Sequence, residues 1–280
     1  MAVLTLLDPG KPPRSKLRYV WNAGQREELT IDLRTVASSQ LPNAQGSDIA
    51  LPPVHIVVAI SPSGVADNGD LEYAWRVTST EVKADPTMPP ELARGMKAEV
   101  DAVERLSGSG VVTPLGLARR VSIETDTPSD AGVTGQMVEQ VRQTLRDMAA
   151  PFPDEAVGMH ARWQKLSHLS TKDAEVTQTE TFTLVSLGAK GGTLDDVLAQ
   201  TSPPQPIHGP GMAAGAQTRM DSMLVSGDAK TTFDRSRLVP QTSLESTTSI
   251  VLSGHSLPGD SNRRMDLLLR VHISLTGSIR

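Results

Sequence analysis

Apolar and polar residues alternate along much of the first third of the chain. Leu17, Tyr19 and Trp21 recur at every second position, and Leu29, Ile31 and Leu33 are separated by Thr30 and Asp32. Ile56, Val58 and Ile60 form a more apolar run, and Leu71, Tyr73, Trp75 and Val77 alternate with Glu72, Ala74 and Arg76. A period of two over such lengths predicts antiparallel strands with one face on a core. Ser61-Pro62-Ser63-Gly64 and Asp67-Asn68-Gly69-Asp70 read as turns between them, and the Asn-Gly pair is a hairpin signal.

The period then changes. Pro89-Pro90 opens a stretch that places Leu92, Met96, Val100 and Val103 on one helical face, with proline where a missing N–H costs least. Ser107-Gly108-Ser109-Gly110 reads as the stop of that helix. Strand-like residues follow over 115–123. Met137, Val141, Leu145 and Met148 then predict a second amphipathic helix, ended by Pro151-Phe152-Pro153. Beyond it the pattern returns to strands, at 159–163, 176–185, 223–225, 231–233, 244–252 and 266–275. Thr193 to Leu198 reads as a short capped helix, and the Pro/Gly/Ala-rich stretch 201–216 as a long loop.

These elements predict an α+β fold: a large, curved, half-barrel-like antiparallel sheet with two mid-chain amphipathic helices, at about 90–106 and 131–149. Residues 1–14 read as a leader or linker, and 15–280 as one domain.

Composition narrows the chemistry. The absence of cysteine excludes disulfides, thiolate metal sites and a cysteine nucleophile. A net charge of −5, with no basic cluster beyond Arg263-Arg264, speaks against nucleic acid as a partner. No apolar run approaches the length of a transmembrane helix. Gly254-His255-Ser256-Leu257-Pro258 departs from a nucleophile elbow because Pro258 stands where the second glycine belongs. Gly188-Ala189-Lys190-Gly191-Gly192-Thr193 lacks the spacing of a phosphate-binding loop and reads as a turn. His55, His160, His168, His208, His255 and His272 are dispersed, with no spacing that predicts a metal site. The acidic groups Glu124-Thr125-Asp126 and Asp195-Asp196 suit helix N-termini. No catalytic residue, metal or cofactor is expected.

Three stretches carry a resemblance. Leu17-Arg18-Tyr19-Val20-Trp21 is followed by Ser61-Pro62-Ser63-Gly64. Pro151-Phe152-Pro153-Asp154-Glu155-Ala156-Val157-Gly158-Met159-His160-Ala161-Arg162-Trp163 and Gly227-Asp228-Ala229-Lys230-Thr231-Thr232-Phe233-Asp234 come later. In this order, over roughly residues 15–275, they resemble a family of bacterial envelope proteins, often lipoproteins, that share a domain of unknown function. The element order is also similar to the half-barrels of Lol-type lipoprotein carriers, which hold acyl chains between a curved sheet and helices. The resemblance implies a periplasmic or outer-membrane-anchored protein whose signal peptide has been removed; the residues themselves equally allow a cytoplasmic one.

Three readings of function follow, one of them an enzyme whose catalytic groups lie apart in sequence and form no recognisable motif. In the first, a non-enzymatic protein binds a lipid or other apolar ligand between sheet and helices, lined by Trp21, Tyr73, Trp75, Met96, Met137 and Trp163. In the second, it is a protein-interaction or structural module of the envelope, with a closed core and another envelope protein as partner.

Overall fold

A computed structural model describes the chain except for residues 1, 23, 41–46, 84–89, 125–137, 139–140, 171–174, 208–216, 256–262 and 280. The alternating stretches become strands, because side chains at every second position leave one face for burial and the other for water. In chain order they are β1 (Val3–Asp8), β2 (Lys11–Lys16), β3 (Glu27–Gln40), β4 (Ser47–Ala50), β5 (Val54–Val65) and β6 (Leu71–Val82). Helix α1 (Pro90–Val103) is followed by β7 (Ser107–Val112) and β8 (Ala118–Glu124). Then come β9 (Ala156–Met159), β10 (Arg162–Ser170), β11 (Glu175–Leu187), β12 (Gly191–Ser202) and β13 (Gln205–Ile207). The long strands β14 (Gln217–Asp234), β15 (Gln241–His255) and β16 (Arg263–Ile279) close the sequence.

Among the described residues, fourteen strands join in one antiparallel sheet. Its order is β1-β10-β11-β12-β14-β15-β16-β3-β5-β6-β7-β8, with β13 paired to β14 and β4 to β3. A small second sheet pairs β2 with β9. One cross-strand row shows the inner face: Leu6, Trp163, Phe182, Asp196, Ala229, Leu244, Ile273, Leu33, Val54 and Val82 stand opposite one another in turn. The neighbouring row lies on the outer face and reads Thr5, Gln164, Thr181, Val197, Asp228, Glu245, His272 and Arg34.

The expectation of an α+β fold with two amphipathic helices is corrected. Strand accounts for 69% of the described residues, and the architecture is predominantly antiparallel β. The first helix is present as α1, ending at Val103. Of the second, residues 138 and 141–149 are described; 138 and 141–146 are helical, and 147–149 are not. Residues 193–198 are not a helix but part of β12: Leu194, Asp196 and Leu198 turn inward while Asp195 and Val197 face water. Ser107-Gly108-Ser109-Gly110 does not stop a helix but begins β7. Ser61 to Gly64 lie inside β5, with a register shift at Pro62/Gly64, and the turn comes at 66–70. In the expected loop 201–216, residues 205–207 pair with β14, and 208–216 lie outside the described residues. The N-terminal stretch 1–14 contributes β1 to the large sheet and most of β2 to the small one.

The core gathers where the inner face meets α1, Val138, the segment 141–153 and the β2–β9 pair. Tyr19 stacks on Trp21 with ring centroids 4.4 Å apart and on Phe152 at 4.9 Å, and Phe152 meets Phe233 edge-on. The Tyr19 hydroxyl donates to the Ala150 carbonyl at 3.1 Å, and Trp163 Nε1 donates to the Pro151 carbonyl at 2.9 Å. These bonds satisfy two carbonyls of an irregular buried segment, which would otherwise cost about 1–3 kcal/mol each. Desolvation raises the Tyr19 and Tyr73 hydroxyls well above the usual phenol range, so both stay neutral. Gly108 and Gly110 lie opposite Trp75 and Tyr73 on β6. A Cβ on Gly110 would sit 2.2 Å from the Tyr73 ring, so the bare backbone is what lets that ring lie flat on the strand. Buried Glu27 ties the start of β3 to the β14–β15 connection, accepting the Leu238 and Val239 N–H groups at 2.8 and 3.0 Å. Among the described residues no helix is long and apolar enough to cross a membrane.

Candidate functional site

The long strands run past the core, and their inner faces there mix aliphatic side chains with serine and threonine. Two further rows carry the pattern. Gly227, Ser246, Val271 and Thr35 form one; Val225, Thr248, Leu269 and Ala37 form the next. A third brings Met223, Ile250 and Leu267 together. Val225 is buried, whereas Met223, Ile250, Leu267, Leu269 and Val271 are only half-buried. The outer positions of β14 and β15 beside them, such as Asp228, Glu245 and Ser249, are exposed. A half-exposed aliphatic surface therefore continues from the core along β14, β15 and β16.

Beside this surface, on the same face, lies a buried polar cluster. Lys165 on β10 is 5% exposed and contacts Asp147 at 2.6 Å and Glu180 at 2.7 Å. Lys165 and Glu180 are directly opposite on β10 and β11, and Asp147 follows the helical stretch 141–146. Asp196 on β12 completes the group, and its Oδ1 is buried without a hydrogen bond. Gln178 and Gln200, the next pair along, are bonded at 2.6 Å. Burial works against the Lys165 charge, but Asp147 and Glu180 outweigh it and hold the ammonium above the usual lysine range. Burial raises the Glu180 carboxyl despite Lys165. Burial, with the Glu180 charge next in size, pushes Asp196 up to about 8, so its carboxyl is protonated at neutral pH. Lys165 thus fastens the 141–150 segment to the sheet.

The outer face carries a groove of about 660 Å³ across β14, β15, β16 and β3, roofed on one side by Leu51, Pro52 and Pro53. Its lining has both signs of charge, Arg34 and Arg270 against Asp228 and Glu245, with His272 among them. His272 Nδ1 is 3.8 Å from Glu245, and Arg270 is 3.9 Å from Asp48. Among the described residues, no group of three His, Asp or Glu is placed to hold a metal ion.

The residues singled out in the sequence lie elsewhere. Trp163, Tyr73 and Trp75 are buried in one hydrophobic cluster, and Trp21 and Met96 pack half-buried against it. Five of the six are thus brought together as packed core, and none lines the outer groove. Met137 falls outside the described residues. The alternation did contain the missed cluster: Trp163, Lys165 and Ser167 share one face, so a lysine at an inward position was a readable anomaly.

The resembling stretches have structural roles here. A Cβ on Gly158 would sit 1.9 Å from the Lys11 carbonyl oxygen, so this glycine permits the close approach of β2 and β9. Compared with models of known protein families and with curated proteins, the chain matches none.

Proposed function

We propose that this is a non-enzymatic envelope protein that binds a lipid or similar amphiphile on the inner face of its long central strands. The observation that carries the reading is the run of half-buried aliphatic side chains, Met223, Ile250, Leu267, Leu269 and Val271, beyond the packed core. Partly exposed aliphatic surface on the inner side of a sheet is stabilised by covering it. About ten methylenes laid there would contribute roughly 8 kcal/mol before the costs of ordering.

Native mass spectrometry of the purified protein, followed by organic extraction, tests this. The expected result is an added mass that extracts as a lipid and is lost in Leu269→Glu but kept in Ser249→Glu on the outer face. A bare chain mass, with no uptake of an added fluorescent fatty acid, overturns it. The mixed-charge outer groove favours the second reading, a protein partner, and retention of an unlipidated partner by this face would support that instead.

A further inference from the structure

The two edges of the large sheet are unlike. At one end β8 is guarded: Arg119 and Arg120 lie on it, Arg119 pairs with Asp70 at 2.6 Å, and Glu124 closes it. Charged side chains on an edge strand oppose pairing with another chain. At the other end β1 reads Val3-Leu4-Thr5-Leu6-Leu7 before Asp8, with no charge over five positions. Among the described residues β1 pairs only with β10, so one row of its backbone N–H and C=O groups has no strand partner. Val3 and Leu7 are 57% and 49% exposed. Leu4 and Leu6 pack against the core, which holds the edge in place.

The geometry points to β1 as a pairing edge for a second copy of this chain, antiparallel about a two-fold axis through Thr5. The segment is complementary to itself in that register. Thr5 meets the partner's Thr5, Leu4 meets the partner's Leu6, and Val3 meets the partner's Leu7. Every pair is apolar–apolar or Thr–Thr, the kinds that stabilise neighbouring strands. A head-to-tail contact of β1 with β8 would set aliphatic side chains beside Arg119 and Arg120 instead. The two-fold contact therefore closes as a dimer and does not propagate. Asp8 and Gly10 limit the seam, since Asp8 accepts the Gly10 N–H at 2.8 Å and Gly10 turns the chain away at φ +75°. A seam of one short strand is small, so the dimer dissociates on dilution.

The chain contains no cysteine, so Thr5→Cys introduces its only thiol. Directly opposed residues on antiparallel strands have Cα atoms about 4.5–5.5 Å apart, within the span of a disulfide. Under mild oxidation, T5C should become a disulfide-linked dimer far faster than a cysteine at exposed Ser278. A mixture of V3C and L7C should cross-link to each other in preference to themselves. In sedimentation velocity the unmodified protein should show a concentration-dependent dimer, lost in Thr5→Lys, which sets two ammonium groups face to face at an exposed position. Thr5→Val should keep it and shows that the site tolerates change. A monomer at every concentration, with T5C no faster than the Ser278 control, overturns the inference. So does a dimer that T5K leaves intact, or cross-linking of T5C only to some other protein.

Discussion

Replacing Lys165 by methionine isolates the electrostatic role of the buried cluster. Methionine keeps most of the stem volume and removes the cation. Asp147 and Glu180, now 2.6 and 2.7 Å from the ammonium, are then left beside Asp196 with no counter-charge from β10. Removing one partner of a buried pair costs about 3–5 kcal/mol, because the remaining charge stays desolvated. With a urea m-value near 3 kcal/mol/M, that is a fall of roughly 1–1.7 M in the unfolding midpoint. The loss should depend on pH in a definite direction. Glu180 and Asp196 are already raised by burial, and without Lys165 Glu180 rises further. A folded state that holds protons the unfolded chain releases loses about 1.4 kcal/mol per pH unit per proton as pH rises. Urea midpoints at pH 5, 6, 7 and 8 should therefore show a small deficit in acid and the full deficit at pH 8. Asp196→Asn is the companion. In the unaltered protein, Asp196 contributes stability that is complete below the usual aspartate range and is lost as pH rises to about 8. D196N should flatten that fall and gain on the wild type above pH 8. A K165M loss below about 1 kcal/mol, or one equal at pH 5 and pH 8, would refute the account, since it rests on unpaired buried charge.

Other substitutions probe the packing. Gly110→Ala should destabilise by about 1–3 kcal/mol, read as a drop in Tm, because the added methyl meets the Tyr73 ring; Tyr73→Leu in the same chain should recover part of the loss. Glu27→Ala strips the acceptors from two buried N–H groups and should cost about 2–4 kcal/mol in denaturant unfolding, while Glu27→Gln, which keeps one acceptor, should lose less.

Much of the strand pattern was visible in the chain itself, because burial on one face of a sheet imposes a period of two. β5, β6 and the last strand follow it closely, and α1 begins at the Pro90 that the sequence marks. The errors have physical causes. Ser107-Gly108-Ser109-Gly110 has the composition of a linker, yet its glycines are strand positions cleared for Trp75 and Tyr73, a requirement set by residues on another strand. Thr193-Leu194-Asp195-Asp196 has the look of a capped helix, but pairing with β11 and β14 overrides local preference. Residues 1–14 read as a leader, and only tertiary pairing with β10 and β9 makes strands of them. Trp21, Tyr73, Trp75, Met96 and Trp163, read from the sequence as a ligand lining, lie in or against the hydrophobic core. The aliphatic inner surface was hidden because every strand shows the same alternation, and which stretch outruns the core depends on registers between distant strands.

The position of β3 has a consequence for the order of assembly. It is held on one side by β5, close in sequence, and on the other by β16, which ends at Ile279. The strands β5 to β8 form a ladder of neighbours, as do β10, β11, β12, β14, β15 and β16, so each group can zip locally as it emerges from the ribosome. The seam between them is the β3–β16 pairing, one of the most distant contacts along the chain. Such pairing must meet its loop-closure entropy late. The nascent protein thus waits with the unpaired edge of β3 exposed until β16 arrives, and that interval is when a chaperone would matter most.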